Sequence, residues 1–103
     1  MVARGEVWWY AHPDAGRRPY LVLSRNEAIP VLNQLIAIPA TRTIRGIPTE
    51  VRLSTDDGMP TECVLAVDNV SLIRPEFCTE RITSLGPDKL RAVCGAFAFA
   101  IAC

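Results

Sequence analysis

The sequence predicts a mainly β domain, a small barrel of short strands finished by one C-terminal helix. Three observations carry that expectation. Short apolar runs are punctuated by turn residues, at Pro13-Asp14, Pro30, Gly46 and Asp56-Asp57-Gly58. Residues Thr49–Leu53 alternate Val51 and Leu53 with Glu50 and Arg52, the period of a half-exposed strand. A stripe at helical spacing appears after Pro87, in Leu90, Val93, Phe97 and Ile101.

In chain order, Glu6–Tyr10 reads as the first strand and Ala11–Arg17 as a loop holding Pro13, Asp14 and Gly16. Pro19–Ser24 is a second strand with Pro at its first position, where a missing N–H does least harm. Asn26–Asn33 is irregular around Pro30. Gln34–Ala40 is a third strand, followed by a loop over Thr41–Pro48. Thr49–Leu53 and Glu62–Val67 are the fourth and fifth strands, and Val70–Ile73 and Cys78–Ser84 are shorter extended segments. Pro87 suits the first helical position, and Asp88 suits the positive end of the helix dipole. Ala96, Phe99 and Ala100 carry the apolar surface nearly all round this helix, so it needs cover on more than one side. The barrel supplies one side, and a second copy of the chain is the simplest cover for another.

The chain, residues 1–103, is short enough for one domain, and its 50% hydrophobic content excludes general disorder. A formal net charge of zero argues against bulk nucleic-acid binding. The charge is nevertheless uneven. Arg4, Arg17, Arg18, Arg25, Arg42, Arg45 and Arg52 face only Glu6, Asp14, Glu27 and Glu50 in the first half, and acids outnumber bases in the second. Nearly all the bases are Arg, whose planar fork matches phosphate; a GC-rich genome would also favour Arg, though not its clustering.

The four cysteines, Cys63, Cys78, Cys94 and Cys103, show no C-x-x-C spacing, and His12 is the one histidine, so neither a metal nor another cofactor is expected. No signal peptide precedes them, which predicts reduced, mostly buried thiols in a cytoplasmic protein. The apolar run Val93–Cys103 is too short to span a bilayer.

The residues that could carry chemistry gather in the first half. Arg18 precedes a proline at the mouth of an apolar strand; it reads as a phosphate clamp or as a solvated strand-end arginine. Thr41 ends the third strand; its hydroxyl reads as a phosphate ligand or as the partner of its own turn. Arg42, Thr43 and Arg45 follow, able to track a phosphate backbone or to form a mobile charged loop. Trp8, Trp9 and Tyr10 show aromatics to both faces of the first strand, one face core and the other an interface or a platform for unpaired bases. Asp68-Asn69 can hold neighbouring loops or cap a turn.

Five segments in register resemble one family: Gly5-Glu6-Val7-Trp8, Arg18-Pro19-Tyr20-Leu21-Val22-Leu23-Ser24, Ile38-Pro39-Ala40-Thr41, Gly46-Ile47-Pro48-Thr49-Glu50-Val51 and Ala66-Val67-Asp68-Asn69-Val70. The chain is similar to MazF/PemK-type toxins, the mRNA interferases. The resemblance implies an SH3-like barrel of the MazF/PemK/CcdB kind, a homodimer, and metal-independent cleavage of single-stranded RNA by 2′-OH attack, leaving a 2′,3′-cyclic phosphate and a 5′-OH. It implies a cognate MazE-like antitoxin and no membrane partner. The family's catalytic Arg and Thr fall on Arg18 and Thr41. Arg17, Ser24, Arg25, Arg42, Thr43 and Arg45 are the expected RNA contacts. The first loop is shorter than in many members, which carry Gly-Ser-Glu-Gln before the arginine, so no cleavage sequence is carried over. Two other functions share the fold: a CcdB-like gyrase poison, and a non-catalytic SH3-like interaction module.

Overall fold

The computed structural model describes residues 2–14 and 16–102. Ala15 of the expected first loop and Cys103 of the expected thiols lie outside the described residues.

Seven strands and one helix follow one another: β1 (Glu6–His12), β2 (Gly16–Val22), β3 (Leu35–Thr41), β4 (Glu50–Leu53), β5 (Cys63–Ala66), β6 (Ser71–Ile73), β7 (Cys78–Ser84) and α1 (Pro87–Ile101). They form a mainly β, antiparallel fold with a C-terminal helix. The hydrogen-bonded order is β4-β5-β3-β2-β1-β7, with β6 paired to β3. This ladder is open, for β4 and β7 stand at its two ends, so the closed barrel expected from the sequence is not made by backbone pairing. Side chains join the ends instead. Thr83 of β7 donates through Oγ1 to the Asp57 carbonyl at 2.9 Å, and Lys89 of α1 pairs with Asp57 at 3.7 Å. The turn after β4 fits there because Gly58 has φ +93° and no side chain; an added Cβ would run into Thr83.

The first loop is a tighter structure than expected. β1 and β2 pair from Val7↔Leu21 to His12↔Gly16, so Ala11, His12, Gly16 and Arg17 belong to strands. Gly16 at φ +76° and the Asp14 N–H donating to His12 Nδ1 at 3.0 Å shape the short turn. Pro19 accordingly lies inside β2, beside Trp9, in the part of β2 that pairs with β1 alone; an unpaired edge tolerates the missing donor.

β3 changes neighbours along one edge. Leu35–Ala37 pair with β6, whereas Ala40 and Thr41 pair with Leu65 and Val64 of β5. On its other edge, pairing with β2 stops at Tyr20↔Pro39. Beyond that rung β2 and β3 part, and the gap between them is the feature that matters below.

The larger core lies on one face of the sheet, where Val7, Leu21, Ile38, Leu65 and Met59 meet Val93 and Ala96 of α1. A second cluster on the other face gathers Tyr10, Val22, Leu35, Ala37 and Ile73 under Trp8, Tyr20 and Phe77. The outer side of α1 is left uncovered, with Phe99 63% and Ile101 53% exposed. Cys63 is buried and Cys78 half-buried, but Cys94 is exposed on α1, against the expectation of mostly buried thiols; a helix packed on one side has room for only some of its residues inside. No helix among the described residues is long and apolar enough to cross a membrane.

Candidate nucleic-acid cleavage site

The parting of β2 and β3 leaves a cleft of about 440 Å³, whose rim carries Arg17, Arg18, Thr41 and Arg42. Register explains how Arg18 and Thr41 come together. Tyr20 faces Pro39 on the last β2–β3 rung, and one alternation further along each strand stand Arg18 and Thr41. Residues two apart on a strand point the same way, so both side chains leave the same face of the sheet.

The two adjacent arginines have different surroundings. Arg17 shares its face with Trp9, and Glu80 lies opposite Trp9 on β7. Its guanidinium therefore lies over the Trp9 ring, 4.3 Å from the centroid, and meets Glu80 at 3.3 Å. Arg18 points to the other face, where its strand partner is Tyr10 and the next strand presents Cys78. No carboxylate pairs with Arg18 among the described residues, and the side chain is exposed. An unpaired guanidinium beside a hydroxyl can place two N–H donors and one O–H donor on the oxygens of a phosphodiester.

The Thr41 hydroxyl is oriented by its own turn. Its oxygen accepts from the Thr43 N–H at 3.2 Å. That bond uses a lone pair and leaves the O–H proton to donate elsewhere. The loop that follows is set by Glu50, which accepts from the amides of Arg45 and Gly46 at 2.9 and 2.8 Å. Glu50 is thereby engaged with backbone, and the guanidinium groups of Arg42 and Arg45 have no carboxylate partner among the described residues. Beneath the loop, buried Thr49 donates to Asp68 at 2.5 Å, so Asp68 ties this loop to the turn after β5.

The remaining expected contacts lie apart from the cleft. Ser24 is 5% exposed, and its oxygen accepts from the Ile36 N–H at 2.8 Å, which makes it a link between β2 and β3. Arg25 follows it, exposed and without a carboxylate partner among the described residues, at the far end of β2. His12 sits at the β1 end of the hairpin, its ring 6.3 Å from that of Phe77. Among the described residues, no three histidine, cysteine or carboxylate groups stand close enough to hold a metal ion.

Sequence reasoning missed the cleft's floor. Buried Met59 and Cys63 form it, and exposed Pro60 and Thr61 stand at the mouth above them, all delivered by the turn at Gly58 and the start of β5. Nothing local to those residues signals it, since their place depends on β5 pairing with β3. The Cys63 thiol is pushed up from its ordinary value by burial, then by the nearby Asp57 and Glu62 charges, so it is protonated and a weak nucleophile.

Comparison with known proteins supplies the context for this geometry. The family described as PemK-like, MazF-like toxin of type II toxin–antitoxin system matches residues 3–101. A relative from Mycobacterium tuberculosis, the probable endoribonuclease MazF5, is 39% identical over 104 residues, covering 100% of this chain and 95% of the relative. The solved M. tuberculosis toxin MazF-mt6 superposes with a TM-score of 0.84 at 28% identity, over 94% of this chain and 96% of that one. A chain of a MazE–MazF crystal structure from Deinococcus radiodurans gives 0.83 at 28% identity, over 98% and 96%. A family match across almost all its residues, joined to full-length similarity with a curated relative, makes this chain a member of the PemK/MazF toxin family.

Proposed function

We propose that the cleft between β2 and β3 is where this MazF-type endoribonuclease cuts single-stranded RNA. The observation that carries the assignment is Arg18, free of any carboxylate among the described residues and on the same face as Thr41 at the end of the β2–β3 ladder. The ribose 2′-OH gives up its proton and attacks the adjacent phosphorus, the bond to the 5′-oxygen breaks, and that oxygen takes up a proton, so the transfer is proton-neutral overall. The products are a 2′,3′-cyclic phosphate and a 5′-OH. Charge grows on the non-bridging oxygens during the attack. Arg18 N–H groups and the Thr41 O–H are donors suited to that growing charge. Arg42, Thr43, Arg45 and Arg25 hold flanking nucleotides; Ser24, committed to the Ile36 amide, contributes by joining the strands.

The chain acts as one toxin domain over 1–103, a partly open SH3-like barrel whose ends are clasped through Asp57. It works in the cytoplasm as a homodimer, which covers the exposed apolar side chains of Val31, Ile36, Leu72 and Phe99. Its activity is held in check by a MazE-like antitoxin, the kind of partner present in the D. radiodurans complex. The test is purified protein on a long synthetic RNA in excess chelator, with the ends analysed chemically. Discrete cuts bearing cyclic phosphate and 5′-OH are expected. No cleavage, or ends bearing 5′-phosphate, would refute the assignment.

A further inference from the structure

The cleft is larger than a phosphate needs. At about 440 Å³ it is in the range of small-molecule pockets. Its floor is apolar and sulfur-rich, with Met59 and Cys63 each 4% exposed. Its wall is the Trp9 indole with the Arg17 guanidinium laid over it. Arg17 is less free for a phosphate than its neighbour Arg18, because it already meets Glu80 at 3.3 Å. It is well suited to stacking, because its guanidinium lies 4.3 Å over the Trp9 ring and Glu80 also meets it. At the mouth, Thr61 is exposed and makes no hydrogen bond among the described residues. Trp9, Arg17 and Ala40 lie on the core face of the sheet, opposite to the face of Arg18 and Thr41, and Met59 and Cys63 belong to the core packed on that face.

We infer that this cleft holds one unpaired nucleobase next to the scissile phosphate, stacked on the Trp9–Arg17 pair and read at its edge by Thr61. The inference rests on the RNA cleavage proposed above. The nucleotide straddles the end of the sheet, its base on the core face and its phosphate toward Arg18. Stacking accepts any base, since each has a π face; the Thr61 hydroxyl both donates and accepts, so it selects by reach, favouring the base whose edge brings a polar atom to it. Arg17 is then a stacking and positioning residue, unlike Arg42, which has no carboxylate among the described residues and meets the backbone.

The experiment maps all cleavage ends on a long RNA of mixed sequence for the wild type, Thr61→Val, Arg17→Gln and Trp9→Phe, and measures the salt dependence of binding to an uncleavable RNA with a 2′-deoxy group at the cut. Thr61 and Arg17 are exposed, and Trp9→Phe keeps a ring, so the series does not hinge on one fragile variant. For Thr61→Val, the ratio of favoured to disfavoured base at one position flanking the cut should fall about tenfold, with preferences elsewhere retained, whereas Arg17→Gln should weaken binding to the uncleavable RNA with that ratio kept, because stacking accepts any base. Trp9→Phe, which keeps a ring to stack on, should weaken that binding less. The Arg17→Gln salt slope should match the wild type, because no phosphate contact is lost. An unaltered base profile in Thr61→Val, or a slope reduced by about 0.7 in Arg17→Gln, overturns the inference. A wild type that cuts no RNA refutes the function itself, and is told apart because the pocket fails only when the wild type cuts.

Discussion

Arg18 and Arg42 at the rim of the cleft, and Arg74, Arg81 and Arg91 elsewhere in the molecule, are the same side chain in opposite circumstances. Arg74 meets Glu76 at 3.1 Å, Arg81 meets Glu6 at 3.4 Å, and Arg91 meets Asp88. Arg18, Arg25, Arg42 and Arg45 meet no carboxylate among the described residues. Nor is the first half short of acids. Glu50 accepts from backbone amides, and Glu6 accepts from the Ala3 amide and Trp8 Nε1 before it reaches Arg81. A protein with zero net charge thus keeps a locally positive rim by turning its nearby carboxylates to other partners. Local availability of unpaired donors, more than total charge, decides whether a phosphodiester is bound.

The sharpest break of this comparison is Arg18→Ala set beside Arg81→Gln. Losing Arg18 should lower the single-turnover cleavage rate about 10²–10³-fold, the scale of one lost oxyanion donor, with the thermal unfolding midpoint little changed. Arg81→Gln removes an ion pair between exposed Arg81 and the largely buried Glu6 carboxylate, which keeps its Trp8 and Ala3 donors, and should cost about 1 kcal/mol of stability without slowing cleavage. Equal rate losses in the two variants would erase the distinction between free and paired arginines.

A smaller effect tests the rim. Arg42→Gln should weaken RNA binding at all sequences alike and reduce the slope of log K against log salt by about 0.7, one phosphate's share on a single strand. Retention of the full slope would remove Arg42 from the backbone path.

The smallest effect sharpens the paired side. Burial opposes the charged form of Glu6, but hydrogen bonds from Trp8, the Ala3 amide and Arg81 outweigh it and hold the carboxyl below its usual range. A depressed folded-state pKa stabilises the fold above the unfolded value of about 4.3 and loses that contribution as pH falls toward the folded one. Urea unfolding should therefore show Glu6→Gln less stable than the wild type at neutral pH, with the gap narrowing under acid. A gap that widens in acid would reverse the sign assigned to Glu6.

Much of the fold was legible in residue pattern. The alternation of Val51 and Leu53 with Glu50 and Arg52 appears as β4, buried on one side, and Pro87 opens α1. Arg18 and Thr41 stood out by their places at strand mouths beside prolines. The end of the first hairpin reads as a loop in the sequence because Ala11, His12 and Arg17 lack any alternation; they are strand because Ala11 pairs with Arg17 and His12 with Gly16 across a turn. The cleft floor was illegible for a different reason. Thr61 and Cys63 reach Arg18 only through β5 and β3, and nothing in the run Met59–Cys63 announces that pairing.

The sequence by itself determined where strands, turns and the helix form, since those follow from periodicity and from proline and glycine placed within a few residues. It also determined that arginine would be the dominant cation. Only the tertiary structure decided which of two neighbouring arginines is free. β1 lies between β2 and β7, and the register sets Glu80 opposite Trp9. Alternate residues of a strand leave opposite faces, so Glu80 reaches Arg17 across Trp9 and leaves Arg18, one residue on and facing the other way, for a phosphate.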